Sequence, residues 1–392
     1  MKNYYKKKLK SSSSVFEGGL LFVLIFGFIT LFALINLIMP DREYSENENK
    51  YLAKSPKFTW ATLVSGKFAL DYETYVCEQF LLRDNWISAK SLSEFALLKV
   101  ENNGVVYGKQ GYMFPKFFSF DAERLNGNLA AIDAFAYECP AEVSVMIVPS
   151  AFYPLSEYVP RGLPHVDEGF YIDRINEYLS ESAKPLDIEG ALSVHANEYI
   201  YYRTDHHWTT YGAYLAYSQF AKQHELVPFD YKSQTPTRVD GFLGTSYTKS
   251  KAFNAKEDVL EYFGNFSGTV TREGKTYEGL YDLEQFKKRD KYSGLLYGNT
   301  SFVQIESEFS PNKLESILII RDSYADSLVP FLTEHYNRIV LIDPRYYNAD
   351  ISALSKKNFT DVLVLFGFED LCTVKEISRL KPSVLNGELP SE

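Results

Sequence analysis

Cysteine is scarce. Three residues in 392 (Cys77, Cys139 and Cys372) cannot build a disulfide framework, and their spacing matches no zinc site. Positive charge is also short: 41 Lys and Arg stand against 51 Asp and Glu, a net charge of −10, so nucleic acid is not expected as a partner. A content of 45% hydrophobic and 23% charged residues fits neither a mainly disordered chain nor a multi-span transporter. The length allows about two domains. What the chain has in plenty is aromatic: 30 Tyr and 29 Phe, most of them needed for a core, with surface Tyr able to stack on sugars.

The first forty residues predict the compartment. Lys2, Lys6, Lys7, Lys8 and Lys10 form a basic head with no acidic residue before Glu17, and no charged side chain occurs from Gly18 to Met39. At about 1.5 Å per residue that run reaches roughly 33 Å, enough for the hydrocarbon core of a bilayer. The basic flank stays inside, which places everything after Pro40 outside the cell membrane. A cleaved signal peptide is the rival, but it calls for a shorter apolar region and small residues at the cut; Leu37-Ile38-Met39-Pro40-Asp41 is a poor site. The expected organisation is a cytoplasmic basic head (1–17), a single transmembrane anchor (18–39), a linker and helical stalk (40–103), an α/β domain (104–380) and a loose tail (381–392).

Periodicity supports that division. Residues 58–99 carry helical spacing, and 104–114 reads as two short strands around a Gly-containing turn. From Asp121 helices and apolar strand runs alternate: a helix to Tyr137, a strand Val143–Val148, helices at 170–180 and after Trp208, and possible strands at Leu186–Ile188 and Tyr199–Tyr202. Later come strands at Ile317–Ile320, Arg338–Asp343 and Asp361–Phe366, with a helix near 325–336. Runs this apolar suit a parallel sheet covered on both faces. Residues 230–310 are polar, Gly-rich and Tyr-rich, with a hairpin turning at Glu273-Gly274, and read as an insertion beside the active-site edge.

Two segments carry chemistry. In Thr204-Asp205-His206-His207-Trp208, an extended backbone would send Asp205 and His207 one way and His206 the other. A carboxylate beside an imidazole can fix its tautomer and leave Nε2 as a base. In Ile320-Arg321-Asp322-Ser323-Tyr324, a serine follows an apolar strand and precedes a helix, at the sheet edge where α/β proteins bind ligands. Each feature alone has a plainer reading, since buried Asp–His pairs are often structural and strand-end serines often cap helices. A metal site would need further ligands, and His165, His195, His224 and His335 form no matching cluster, so neither metal nor cofactor is expected. His206 reads as a structural histidine. Trp208 reads as a packing residue or a sugar platform, and Arg345 as a partner of Asp343 or Asp350 or a substrate contact.

TDHHWTTYGAYLAY (204–217) resembles the signature of the bacterial DHHW protein family. VVYGKQGYMF (105–114), MIVPSAFYP (146–154), LIIRDSYADSLVPFL (318–332) and VLIDPRYYN (340–348) are similar to its other landmarks, in order. That family is in turn similar to the SGNH-hydrolase-like domains of alginate-type polysaccharide O-acetyltransferases. The resemblance implies a three-layer α/β domain with a parallel sheet, circularly permuted because the Asp/His segment precedes the Ser strand, plus a β-rich insertion. It implies Asp205, His207 and Ser323 as the triad, a polysaccharide as acceptor, and a membrane-bound O-acyltransferase partner to export the acetyl group. An acetyl esterase and a non-catalytic glycan-binding or scaffold protein are the alternatives. Two positions depart from the pattern: Arg321 stands where Gly precedes Asp-Ser, and Glu369 stands where the oxyanion Asn belongs. An ionised carboxylate cannot donate a hydrogen bond, so the oxyanion donor is sought at the Ser323 N–H, Arg345, Gly298 or Asn299, with Trp208 and Tyr324 as further substrate contacts.

Overall fold

The charge-free run that begins at Gly18 lies within one long helix, α1 (Lys2–Ile38), which also takes in the charged residues before it. The computed structural model describes residues 2–45 and 50–381. The expected tail from 382, and the side chains of the expected basic head, lie outside the described residues. Contacts divide the chain into two units, residues 1–90 and 91–392. In the first, the stretch Gly19–Ile38 is long and apolar enough to cross a membrane, with a mean hydropathy of 2.8 and none of it buried. That is consistent with a single-pass anchor or a signal sequence. Two short strands, β1 (Tyr44–Ser45) and β2 (Lys50–Tyr51), pair antiparallel. The helical spacing beyond Phe58 resolves into α2 (Trp60–Val64), α3 (Lys67–Gln79) and α4 (Arg83–Ala96). Thr59 closes a capping box on α2, and Gly66 in the left-handed region (φ 75°) turns the chain into α3.

The second unit opens with a three-stranded meander, β3 (Glu101–Asn102), β4 (Val105–Tyr107) and β5 (Met113–Pro115). Asp121 accepts from the N–H groups of Glu123 and Arg124 and so starts α5 (Ala122–Glu138). Then come β6 (Glu142–Val148), α6 (Glu168–Leu179), β7 (Lys184–Pro185), α7 (Glu189–Val194) and α8 (Thr210–Gln223). The hairpin β8 (Thr237–Phe242) and β9 (Asp258–Tyr262) encloses α9 (Thr245–Ser250). It leads to β10 (Gly268–Arg272), β11 (Lys275–Glu278) and β12 (Phe302–Ser307). The chain closes with β13 (Leu314–Arg321), α10 (Ala325–Leu332), β14 (Tyr336–Ile342), β15 (Asp361–Gly367) and α11 (Phe368–Thr373).

Eight of these strands form one sheet in the order β11-β10-β12-β14-β13-β15-β6-β7. From β14 to β7 all neighbours are parallel. The serine strand β13 is central, flanked by β14 and β15, while β6 and β7 come earlier in sequence and lie beyond β15. This is the permuted order expected. Alternation along β13 builds three layers: Ile317 and Ile319 face a core shared with α7, α8 and α10, while Leu318 and Ile320 face one shared with α5, α6 and α11.

Four details differ from the expectations. The sheet is mixed, because β10, β11 and β12 extend it antiparallel beyond β14. The region 230–310 is therefore partly continuous with the sheet rather than a separate insertion. Leu186–Ile188 is not a strand; β7 ends at Pro185, and after one last bond from the Leu186 N–H to the Val145 carbonyl (2.8 Å) the chain turns into α7. Tyr199–Tyr202 makes a single bridge, Tyr201 to Trp208, and loops back on itself. The helix after Ser323 ends at Leu332, since β14 takes up the chain from Tyr336. The hairpin turn falls where expected, with Glu273 and Gly274 both at positive φ (48° and 73°), as a two-residue turn requires.

Helix α8 crosses Ile200 at Gly212, where an added Cβ would meet the Ile200 carbonyl oxygen at 2.2 Å and Trp208 Cβ at 3.0 Å. Backbone cannot give way as a side-chain end can. Gly212→Ala is expected to lower stability by about 2 kcal/mol, read as a lower urea midpoint at an unchanged slope.

Candidate active site

The Asp-His-His-Trp segment is held from below by one buried carboxylate. Asp258, on β9, accepts from the Arg203 N–H (2.9 Å), the Thr204 N–H (2.8 Å) and the Thr204 hydroxyl (2.6 Å). The backbone that follows is bent, not extended. Asp205 Oδ1 accepts from the His207 N–H two residues on (3.0 Å), an Asx-type turn that folds the segment. The expected alternation therefore fails, and the His206 ring lies against His207, centroids 3.8 Å apart, rather than opposite.

The turn brings together groups 116 positions apart in sequence. His207 Nδ1 lies 2.5 Å from Asp205 Oδ1, and His207 Nε2 lies 2.7 Å from Ser323 Oγ. Asp205 is buried and ionised: desolvation opposes its charge, but the two imidazoles and its hydrogen-bond donors outweigh that and hold its carboxyl well below the usual range. Four donors fill its lone pairs, the His207 N–H and Nδ1–H on Oδ1 and the Thr245 N–H (2.7 Å) and hydroxyl (3.0 Å) on Oδ2. With Nδ1–H donating to the carboxylate, Nε2 of His207 is the nitrogen turned to Ser323, placed to accept from its hydroxyl. Gly244 makes room for this: a Cβ there would sit 2.2 Å from Asp205 Oδ2.

Ser323 sits in the turn between β13 and α10, which Asp322 ties down. Asp322 Oδ1 accepts from the Tyr324 N–H (2.9 Å) and Oδ2 from the Gly367 N–H (2.6 Å), locking the serine turn to the loop after β15. Burial and the neighbouring Asp370 push the Asp322 carboxyl above the usual carboxylate range. Those two N–H groups are thereby occupied. Among the described residues no acceptor lies on the Ser323 N–H, which leaves it available to an oxyanion. Tyr292 was not legible as a site residue, yet its ring stacks on His207 (3.9 Å, 8°) and its hydroxyl donates to the Ser323 carbonyl (2.9 Å).

A cavity of about 260 Å³ opens over Ser323. Phe114, Phe117, Phe152 and Phe368 form an aromatic side, and His206, Thr245, Lys249 and Glu369 a polar one. Tyr324 lines it too, its hydroxyl donating to the His206 carbonyl (2.8 Å). The remaining expected contacts lie outside the cavity wall. Trp208 is fully buried and donates Nε1–H to the Tyr324 carbonyl (3.0 Å) and Ser327 Oγ (2.8 Å), so it packs and ties the two segments together. Arg345 is engaged by Asp343 (2.8 Å) and Asp370 (2.9 Å). Asn299 accepts from Arg321, whose guanidinium is buried against Asp326 (3.1 Å). Gly298 forms a turn at φ 81°. Glu369 stands at the rim, its carboxyl raised by desolvation and by Asp370. Asp205, His206 and His207 have potential ligand atoms within 4.8 Å of one another, but the Asp205 oxygens and both His207 nitrogens are already hydrogen-bonded.

Comparison with known proteins agrees with the resemblance in the sequence. A family model described as DHHW protein matches residues 177–342, which include the Asp-His-His-Trp segment and Ser323. A DHHW family protein from Eubacterium siraeum DSM 15702 shares the fold, with a TM-score of 0.61 at 23% identity over 71% of this chain and 96% of that one. Bacillus cereus PatB1 does so with a TM-score of 0.55 at 18% identity, over 69% of this chain and 98% of that one. A second PatB1 structure, with a sulfonyl adduct, gives 0.57 at 18% identity over 71% and 98%. No curated protein matches.

Two outcomes are expected. Removing the stacked ring in Tyr292→Ala frees the His207 imidazole and should slow covalent labelling of Ser323 about tenfold, while Tyr292→Phe, which keeps the ring, should lose much less. The second concerns Glu168, which is buried and accepts from the hydroxyl (2.5 Å) and N–H (2.7 Å) of Ser150, a cavity residue. Burial pushes Glu168 from 4.5 up to about 7. Between those values the folded chain keeps a proton that the unfolded chain has released, so stability falls as pH rises and levels off above the upper value. The loss is about 3 kcal/mol. Glu168→Gln should remove that slope from denaturation midpoints measured between pH 5 and 8.

Proposed function

We propose that this chain is an extracytoplasmic serine acyl-transfer enzyme that O-acetylates a cell-surface or secreted polysaccharide. One observation carries the reading: the Asp205–His207–Ser323 chain of hydrogen bonds, 2.5 Å and 2.7 Å long, opening into a cavity. Ser323 Oγ attacks the acetyl carbonyl of the donor as its proton passes to His207 Nε2, and Asp205 stabilises the imidazolium. The leaving group takes that proton, leaving acetyl-serine. A sugar hydroxyl then attacks, His207 takes its proton, and the ester passes to the sugar while Ser323 recovers its hydrogen. The Ser323 N–H, which has no acceptor among the described residues, is a donor for the developing oxyanion. Outside the membrane there is no acetyl-CoA, so a membrane-bound O-acyltransferase partner supplies the acetyl group, and the helix Gly19–Ile38 anchors the chain beside it.

A second, non-catalytic reading has an observation in its favour. Asp322 occupies the N–H groups of Tyr324 and Gly367, and at position 369 a carboxylate replaces the amide donor expected there, so donors near Ser323 are withdrawn from the oxyanion. A lost oxyanion donor costs about 10²–10³ in rate. A fluorophosphonate or sulfonyl fluoride probe separates the two, and the sulfonyl adduct of PatB1 makes the latter a natural choice. Stoichiometric labelling of Ser323, lost in Ser323→Ala and at least 10³-fold slower in His207→Ala, is the expected result. An unlabelled wild-type chain would reject the enzyme reading. Acetylated oligosaccharide formed from a chromogenic acetyl ester distinguishes transfer from an esterase, which would give hydrolysis alone.

A further inference from the structure

The two histidines of the motif are both in position to act, and hydrogen-bond accounting fixes the state of the first. The Thr245 hydroxyl has one proton, and the ionised Asp205 Oδ2 at 3.0 Å takes it. Thr245 Oγ1 must then accept from its other neighbour, His206 Nδ1, at 2.8 Å. His206 therefore carries its proton on Nδ1 and presents a bare Nε2. Among the described residues that nitrogen has no partner. The ring is partly exposed and lines the cavity with Ser323. Desolvation and the neighbouring His207 keep it neutral by holding its basicity well below the ordinary value, against the pull of Asp205.

The two imidazoles, centroids 3.8 Å apart and tilted by 37°, can thus each offer a bare nitrogen: His206 Nε2 throughout, on a ring that lines the cavity, and His207 Nε2, behind the cavity residue Ser323, once that serine is acylated. A single attacking hydroxyl needs only that of His207. We infer that His206 is an acceptor-positioning residue, whose Nε2 accepts a hydrogen bond from a hydroxyl adjacent to the one that attacks the acyl-serine, so that the preferred acceptor is a sugar diol. No proton is transferred at His206. The attacking hydroxyl loses its proton to His207 as its oxygen bonds the acyl carbon and the Ser323 Oγ–acyl bond breaks. Water has no second hydroxyl to bind, so the same contact biases the acyl-serine toward transfer over hydrolysis. This rests on the acyl-transfer reading above.

The test uses the full chain in detergent, a chromogenic acetyl ester and an oligosaccharide bearing free diols. Burst amplitude reports acyl-serine formation, and product analysis gives the ratio of transfer to hydrolysis. In His206→Phe that ratio is expected to fall, and KM for the oligosaccharide to rise, each about tenfold, as loss of one hydrogen bond implies. His206→Gln, which can present an acceptor oxygen, should recover part of both, and an oligosaccharide with its diols blocked should erase the difference between wild type and variant. Side-chain ¹⁵N spectra should show His206 with a bare Nε2. A normal burst with an unchanged ratio in His206→Phe, or a protonated Nε2, overturns the role of His206 and leaves the acyl-transfer reading standing. A wild-type chain with no burst overturns both.

Discussion

The site depends on a carboxylate that has been taken out of water and given every donor it can use. Asp205 receives four hydrogen bonds, two from His207 and two from Thr245. Left short of partners, a buried ion of this kind would be neutralised or would destabilise the fold by several kcal/mol. Satisfied, it sets three things together: the bend of the Asp-His-His-Trp segment, the tautomer of His207, and through Thr245 the tautomer of His206. The position of Gly244 belongs to the same constraint, since any side chain there would displace an Asp205 oxygen.

The sheet supplies the other half of the geometry. Ser323 is carried to the carboxyl edge by the central strand β13, and the loop after its neighbour β15 is pinned to the serine turn by Asp322. Trp208 and Tyr324 then join the two halves of the site by hydrogen bonds in opposite directions, indole to Tyr324 carbonyl and phenol to His206 carbonyl. These bonds are buried or nearly so, where an unmade partner is costly, and that is what holds segments 116 residues apart to within ångströms.

Much of this was legible in the sequence because it depends on local pattern. Four consecutive apolar residues before Arg321 mark a strand buried on both faces, and Asp-x-His and strand-Ser-helix are short motifs with a mechanism behind them. What could not be read depends on distant partners. Tyr292 lies in a polar, Tyr-rich region where nothing distinguishes it from its neighbours, and only the fold puts its ring on His207. The orientation of His206 was misread because the two-residue period holds for extended chain, whereas Asp205 folds the segment onto itself. Arg345 reads from sequence as a partner of Asp343 or Asp350 or as a substrate contact; the fold pairs it with Asp343 and adds Asp370, 25 residues on, which sequence proximity does not suggest.

The borders of the sheet bear on how the protein can associate. One border strand, β7, is two residues long and ends in a proline. The other, β11, is four residues long and carries Lys275 and Glu278 at its ends. Neither presents the long, flat, apolar ladder on which a foreign strand could template itself. Strand addition at either border is thereby disfavoured, and association with another molecule, whether a polymer or a protein, is left to loops and helix faces.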